Sequence, residues 1–221
     1  MVKKFYFLVY MLLLTCTLAY SQDLSIKDPA TGKYFSASAY ADFKGTPFLE
    51  DEWLAGSVIT STGLRFNTKL KFNLFTNSLF LNKDGEALEI SDDIKTFTLM
   101  PVVTDSNSYR NFTKGIVASG LTSKQFVEKL VGGKHELYKL HTKVVRELNE
   151  INVGIVKRFA SVVKYYLSNP TSVKHFELDK KQVLEALSDK QEMVKDYLSK
   201  EKLSFKNEKD LIKVIEFYNT L

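Results

Sequence analysis

The chain is short of the residues that carry redox and nucleophilic chemistry. It holds one cysteine, three histidines, one tryptophan and four prolines in 221 residues. A lone thiol cannot close an intramolecular disulfide, so stability must come from a packed core, which a chain of about 200 residues can supply. Three histidines leave few general bases and few zinc ligands. Charge of one sign is scarce as well: 31 Lys and Arg face 26 Asp and Glu, a net +5. That excess is too small to mark a nucleic-acid surface. Long apolar runs are confined to the beginning.

There, Lys3 and Lys4 lead into a mostly apolar stretch from Phe5 to Leu18, and Ala19-Tyr20-Ser21 puts small residues at −3 and −1 of a cleavage site. The pattern predicts a secretory signal peptide over residues 1–21, cut between Ser21 and Gln22. A run of about fourteen apolar residues is short of the roughly 20 that span a bilayer. Leu13-Leu-Thr-Cys16 has the outline of a lipobox, but threonine precedes the cysteine and the apolar run continues beyond it. The expectation is soluble export to the periplasm or the exterior, with no transmembrane span after signal removal. Cleavage would take Cys16, Lys3 and Lys4 away, leaving a thiol-free and nearly charge-balanced chain. Redox and thiol catalysis fall with it.

From Trp53 to Met100 the apolar period is two. Leu64, Phe66, Leu70, Phe72 and Leu74 fall on one face, and Arg65, Asn67, Lys69, Lys71 and Asn73 on the other. That alternation predicts a strand with one buried and one wet face. Thr62-Gly63 and Thr76-Asn77 are turns, and Asp84-Gly85 between apolar runs is a hairpin signal. A meander of five or six strands is expected, ending at Pro101. Further on, Tyr138, Leu140 and Val144 alternate with Lys139, His141 and Lys143. Phe126–Val131 is read as the partner strand across Gly132-Gly133; the alternative is a short helix, capped by Thr122 and Gln125. Val162–Leu167 and Val173–Leu178 form another hairpin through Asn169-Pro170.

After Leu178 the period becomes helical. Asp179, Ser188 and Asn207 each stand three residues before Gln182, Gln191 and Asp210, so three capped helix starts are predicted. The stripes are Val183, Leu184 and Leu187; Met193, Val194, Tyr197 and Leu198; and Leu211, Ile212, Val214, Ile215 and Tyr218. The whole reads as an α+β protein: a β-rich body over 22–178, antiparallel, meander-rich and barrel-like or two-layered, then a three-helix cap over 179–221.

Chemistry is thin. His135 and His141 are six apart, which puts them about 20 Å from each other along a strand, and the H-E-x-x-H spacing is absent. His135, His141 and His175 are therefore read as surface residues. No P-loop, G-x-S-x-G or G-x-G-x-x-G occurs. Glu50-Asp51-Glu52 lacks the ligand spacing of a calcium loop and reads as a solvated turn; Trp53 reads as a core plug. No catalytic residue, cofactor or metal ligand is assigned.

Three stretches, Gly45-Thr-Pro-Phe-Leu-Glu-Asp-Glu-Trp53, Leu70-Lys-Phe-Asn-Leu-Phe75 with its Gly85 turn, and the ending from Lys202 to Leu221, carry a resemblance to uncharacterised secreted proteins of Gram-negative, Bacteroidetes-type bacteria. The resemblance implies compartment and architecture, and carries no functional residue. The expected role is an exported, non-enzymatic binding protein of the cell envelope, its partner an envelope protein, a polysaccharide or an apolar ligand. The competing readings are a periplasmic hydrolase with dispersed Ser, His and acid residues, and a lipid carrier with a cavity behind the Leu64–Leu74 strand.

Overall fold

The structure, a computed structural model, describes residues 40–90, 93–100 and 109–221. The segment read as an export signal, with Cys16, Ser21 and Gln22, lies outside them. The protein is α+β: the described residues form eleven strands in one open, mixed sheet, and three helices that follow. The strands are β1 (Phe43–Lys44), β2 (Leu54–Thr60), β3 (Arg65–Asn73), β4 (Ser78–Lys83), β5 (Glu86–Glu89), β6 (Ile94–Met100), β7 (Arg110–Thr113), β8 (Val127–Val131), β9 (Glu136–Glu150), β10 (Gly154–Asn169) and β11 (Ser172–Phe176). The helices are α1 (Lys180–Ala186), α2 (Gln191–Lys200) and α3 (Glu208–Tyr218). Their order across the sheet is β1-β10-β9-β8-β7-β6-β2-β3-β4-β5, with β11 also on β10. All pairs are antiparallel except β1 with β10.

The expected meander is interrupted once. Strands β2 to β5 run as successive hairpins, but β6 returns to pair with β2 instead of β5. The Ser61 amide, bonded to the Asp93 carbonyl at 2.7 Å, fixes that return. The Asp84-Gly85 turn forms as predicted, with φ of 55° and 91°, the mirror-image turn that matches strand twist. The stretch read as Phe126–Val131 is a strand from Val127 onward: β8 pairs with β9 across a bulge. The Thr122–Gln125 pairing exists too, Gln125 Oε1 accepting from the Thr122 amide at 2.9 Å, but it closes a turn.

One row of directly opposed residues crosses the buried face of the sheet. It runs Phe66, Val58, Phe97, Phe112, Glu128, Lys139, Tyr165 and Phe176. Toward Phe66 the sheet curls over an apolar cluster that includes Leu70, Phe72, Phe97, Phe112 and Phe126. Phe97 and Phe112 stack at 4.6 Å, and Phe72 reaches Phe112 at 5.5 Å although two strands lie between their own. Toward Phe176 the helices lay Val183, Leu187, Val194, Leu211, Val214 and Ile215 against Leu137, Tyr165 and Leu167. The helical stripes are thus buried as their period dictated, apart from Tyr197 and Ile212, which are half-buried, and Met193, which is exposed.

Two of the three caps form. The Asp179 carboxylate accepts from the Lys181 and Gln182 amides, and Asn207 Oδ1 accepts from the Asp210 amide. Ser188 caps nothing. The chain leaves the fully buried Leu187 through a tight turn at Ser188–Lys190, and α2 starts at Gln191 with no side-chain cap. Asn73, assigned to the wet face, is buried because Phe48 bridges to it from outside the strand. Its Oδ1 accepts from the Phe75 and Thr76 amides, turning the chain after β3. Among the described residues, no helix is long and apolar enough to cross a membrane.

Candidate functional site

Where the apolar row breaks, at Glu128 and Lys139, an ionic cluster occupies the sheet. Arg110 precedes Phe112 by two residues and Glu128 follows Phe126 by two, so both charges fall in phase with core aromatics. Arg110 grips Glu128 with two nitrogens, Nε to Oε1 at 2.8 Å and Nη2 to Oε2 at 2.9 Å. Its Nη1 reaches Glu50 at 2.9 Å. His141 Nε2 lies 2.6 Å from Glu128 Oε2 and 3.3 Å from Arg110 Nη2. Arginine can only donate, so the ring nitrogen cannot serve both neighbours with one lone pair. The ionised carboxylate can only accept, so Nε2–H donates its hydrogen bond to Glu128.

The side chains of Glu128 and His141 are 8% and 10% exposed. His141 is therefore no surface histidine. Burial alone would push the Glu128 carboxyl up; the hydrogen bonds from Arg110 and His141, and their charge, outweigh it and hold the pKa down at about 2. Burial pulls the His141 pKa below its ordinary value; the Glu128 contact opposes this, and Arg110 and Lys139 reinforce it. The arrangement is an arginine fork on a carboxylate with a neutral imidazole donating from the side. The fork already holds both carboxylate oxygens, and among the described residues His141 hydrogen-bonds no serine. It ties β7, β8 and β9 together.

The adjoining end of the seam belongs to α3. Glu208 accepts from Tyr165 Oη at 2.8 Å and forms an ion pair with Lys139 Nζ at 2.5 Å. Burial and Glu208 together push the Tyr165 phenol pKa up. His175 stacks edge-on to Tyr166 at 5.4 Å; its Nε2 sits 3.4 Å from Glu177 Oε1 without hydrogen-bond geometry. His135 rests against the Tyr218 ring at 4.6 Å. The histidines are thus divided among three environments. Among the described residues no group of His, Cys, Asp or Glu is placed to hold a metal ion. Of the acidic triplet, Glu50 joins the Arg110 cluster, Asp51 and Glu52 are exposed, and Trp53 is half-buried beside Lys71.

The space behind Leu64–Leu74 is filled by Phe72, Phe97, Phe112 and Phe126, with ring centroids 4.6 to 5.9 Å apart. A cleft of about 530 Å³ lies instead on the helical side, over Leu178, Leu198, Leu203 and Phe205.

The feature that sequence reading missed altogether is an arm. Strands β9 and β10, 15 and 16 residues long, run together past the edge of β8 and end in the turn Ile151–Val153. At its root Phe159 is buried, its ring 5.4, 5.2 and 5.5 Å from Tyr40, Phe43 and Phe75. Strand β1 pairs with Lys157 and Arg158, and Glu150 near the turn is held by Lys44 at 2.5 Å and Arg158 at 3.2 Å. Beyond these braces the tip is bare: Ile151 is 90% exposed, Ile155 73% and Val153 67%. Comparison with protein-family models, curated proteins and solved structures finds no match to this chain.

Proposed function

We propose that the chain is an exported, soluble binding protein of a bacterial cell envelope that acts by contact, with the β9–β10 arm as its contact element. Lys3, Lys4 and the apolar stretch to Leu18 support export. The observation that carries the binding reading is the contrast along the arm. Its root is buttressed by four aromatic rings, while its tip presents three aliphatic side chains to solvent. Exposed aliphatics concentrated at one prominence mark an interaction surface. The curled sheet serves in this reading as a barrel-like scaffold with the helices as its cap; the Lys143 amide, 3.4 Å from the Leu74 carbonyl, supports that closure.

Site-specific photo-crosslinking tests it. A photoreactive residue at Ile151, in protein exported by a Gram-negative host, is expected to give discrete adducts. The same residue at exposed Lys69, on the wet face of β3, is expected to give none. Identical adduct patterns from the two positions would end the reading.

A further inference from the structure

We propose that the arm docks on an anionic phospholipid surface, its aliphatic tip entering the headgroup–acyl boundary and its arginine pair meeting lipid phosphates. The inference rests on the binding reading above and names the partner. From Ile151 to Val156 the tip carries no charge, and no acid stands forward of Glu150. Behind it, Arg146 and Arg158 are directly opposed across the two strands, both exposed. Like charges placed opposite one another on a sheet repel, and Arg158 is compensated only in part by Glu150 at 3.2 Å. An anionic surface would relieve that repulsion. Residues 143–158 hold four cations and two acids. Glu150 is held by Lys44 and Arg158, and Glu147 lies opposite Lys157 across the two strands. Arg146 is left to face outward.

The spacing suits a bilayer. Ile155 and Arg158 are three positions apart, about 10 Å along a strand, which matches the 5–10 Å depth at which interfacial apolar groups sit, roughly below the phosphates. A protein partner fits less well. Leu148, Ile151, Val153 and Ile155 together expose roughly 500 Å², short of the ~800 Å² per partner in a stable interface, so two tips meeting would make a poor dimer. The tip is convex and would need a matching pocket in a protein, whereas lipid tails need none.

Vesicle co-sedimentation decides it, using protein recovered from the exporting host. Binding to phosphatidylglycerol-containing vesicles is expected, weakening with salt, with little binding to pure phosphatidylcholine. Ile151→Ser/Val153→Ser/Ile155→Ser should lower partitioning more than about tenfold, and Arg146→Gln about fivefold. Lys69→Gln, a control far from the arm, should change it no more than the loss of one distant surface charge. Unchanged circular dichroism shows that the variants fold, as their exposed positions lead one to expect. Equal binding of the triple variant and wild type, or indifference to lipid charge, overturns the proposal. So does a dimer in sedimentation that the triple variant abolishes. If vesicle binding fails while Ile151 still gives specific protein adducts, the lipid assignment falls and the binding reading stands. If both fail, both fall.

Discussion

Glu128 would be a costly residue to bury alone, because an unpaired carboxylate in apolar surroundings loses its hydration. The Arg110 fork and the His141 donor replace that hydration, which makes the three residues interdependent. Arg110→Met should therefore cost about 3 kcal/mol in urea unfolding, since it strips the carboxylate of its main partner. Arg110→Met combined with Glu128→Leu should recover most of the loss, because no buried carboxylate is then left without its partner and the apolar row extends from Phe112 as far as Lys139. A double variant as unstable as the single one would refute the coupling. The pH dependence has a definite sign. The folded pKa of Glu128 lies below its free value of 4.5, so its contribution is complete above 4.5 and disappears as pH falls toward about 2. That shift corresponds to about 3 kcal/mol. The folded pKa of His141 also lies below its free value of 6.5, so the unfolded chain takes up that proton first and stability begins to fall below 6.5. Unfolding free energy should thus decline in two stages on acidification. Glu128→Gln should flatten the second stage, and an unchanged acid limb in that variant would show that other carboxylates govern it.

The elements divide by whether a local rule suffices to find them. Asp84-Gly85 and the Asp179 and Asn207 caps were legible because backbone sterics and a first-turn hydrogen bond act over three or four residues. Ser188 satisfied the same spacing and failed. Leu187 is drawn fully into the core, and the short turn that follows leaves no free first turn to cap. Asp179→Ala and Asn207→Ala should each cost about 1 kcal/mol, whereas Ser188→Ala should shift the thermal midpoint hardly at all. A loss at Ser188 equal to the other two would mean that α2 starts earlier than described. The ionic cluster escaped sequence reading for another reason. Arg110, Glu128 and His141 are 18, 13 and 31 residues apart in their pairings, and each alone resembles a surface residue. Their one signal was phase, a charge two residues from Phe112 or Phe126 on an apolar face. The arm left no periodic trace, because beyond Val145 and Phe159 neither of its faces is buried against a second layer, so the residues from Arg146 to Arg158 carry no burial pattern to read.

At the scale of the whole molecule, the helices and the sheet share one apolar cluster, but a cluster of aliphatic contacts does not by itself fix orientation. Glu208 at the start of α3 ties it to Tyr165 and Lys139, and the other end is fixed by Asn219, the residue after α3. Its Oδ1 accepts from the His135 amide at 2.8 Å, and its Nδ2 donates to the carbonyls of His135 at 2.8 Å and Gly132 at 3.3 Å. The turn between β8 and β9 admits it because residue 133 is glycine. Its φ is 136°, and a Cβ there would come within 2.8 Å of Asn219 Nδ2. Tyr218 adds a bond from its hydroxyl to Asp189 at 2.5 Å, so the last turn of α3 holds both the sheet and the start of α2. These ties make the helical layer part of the same cooperative unit as the sheet. Asn219→Ala would leave the His135 amide and two carbonyls without their partner, at about 1 kcal/mol or more for each that stays buried. It should lower hydrogen-exchange protection in α3 and in β8–β9 together, while the arm tip, already exposed, exchanges as before. Loss of protection confined to α3 would mean that the helices open independently and that Asn219 does not couple the two sides of the shared cluster, Leu137, Tyr165 and Leu167 on one and Leu211, Val214 and Ile215 on the other.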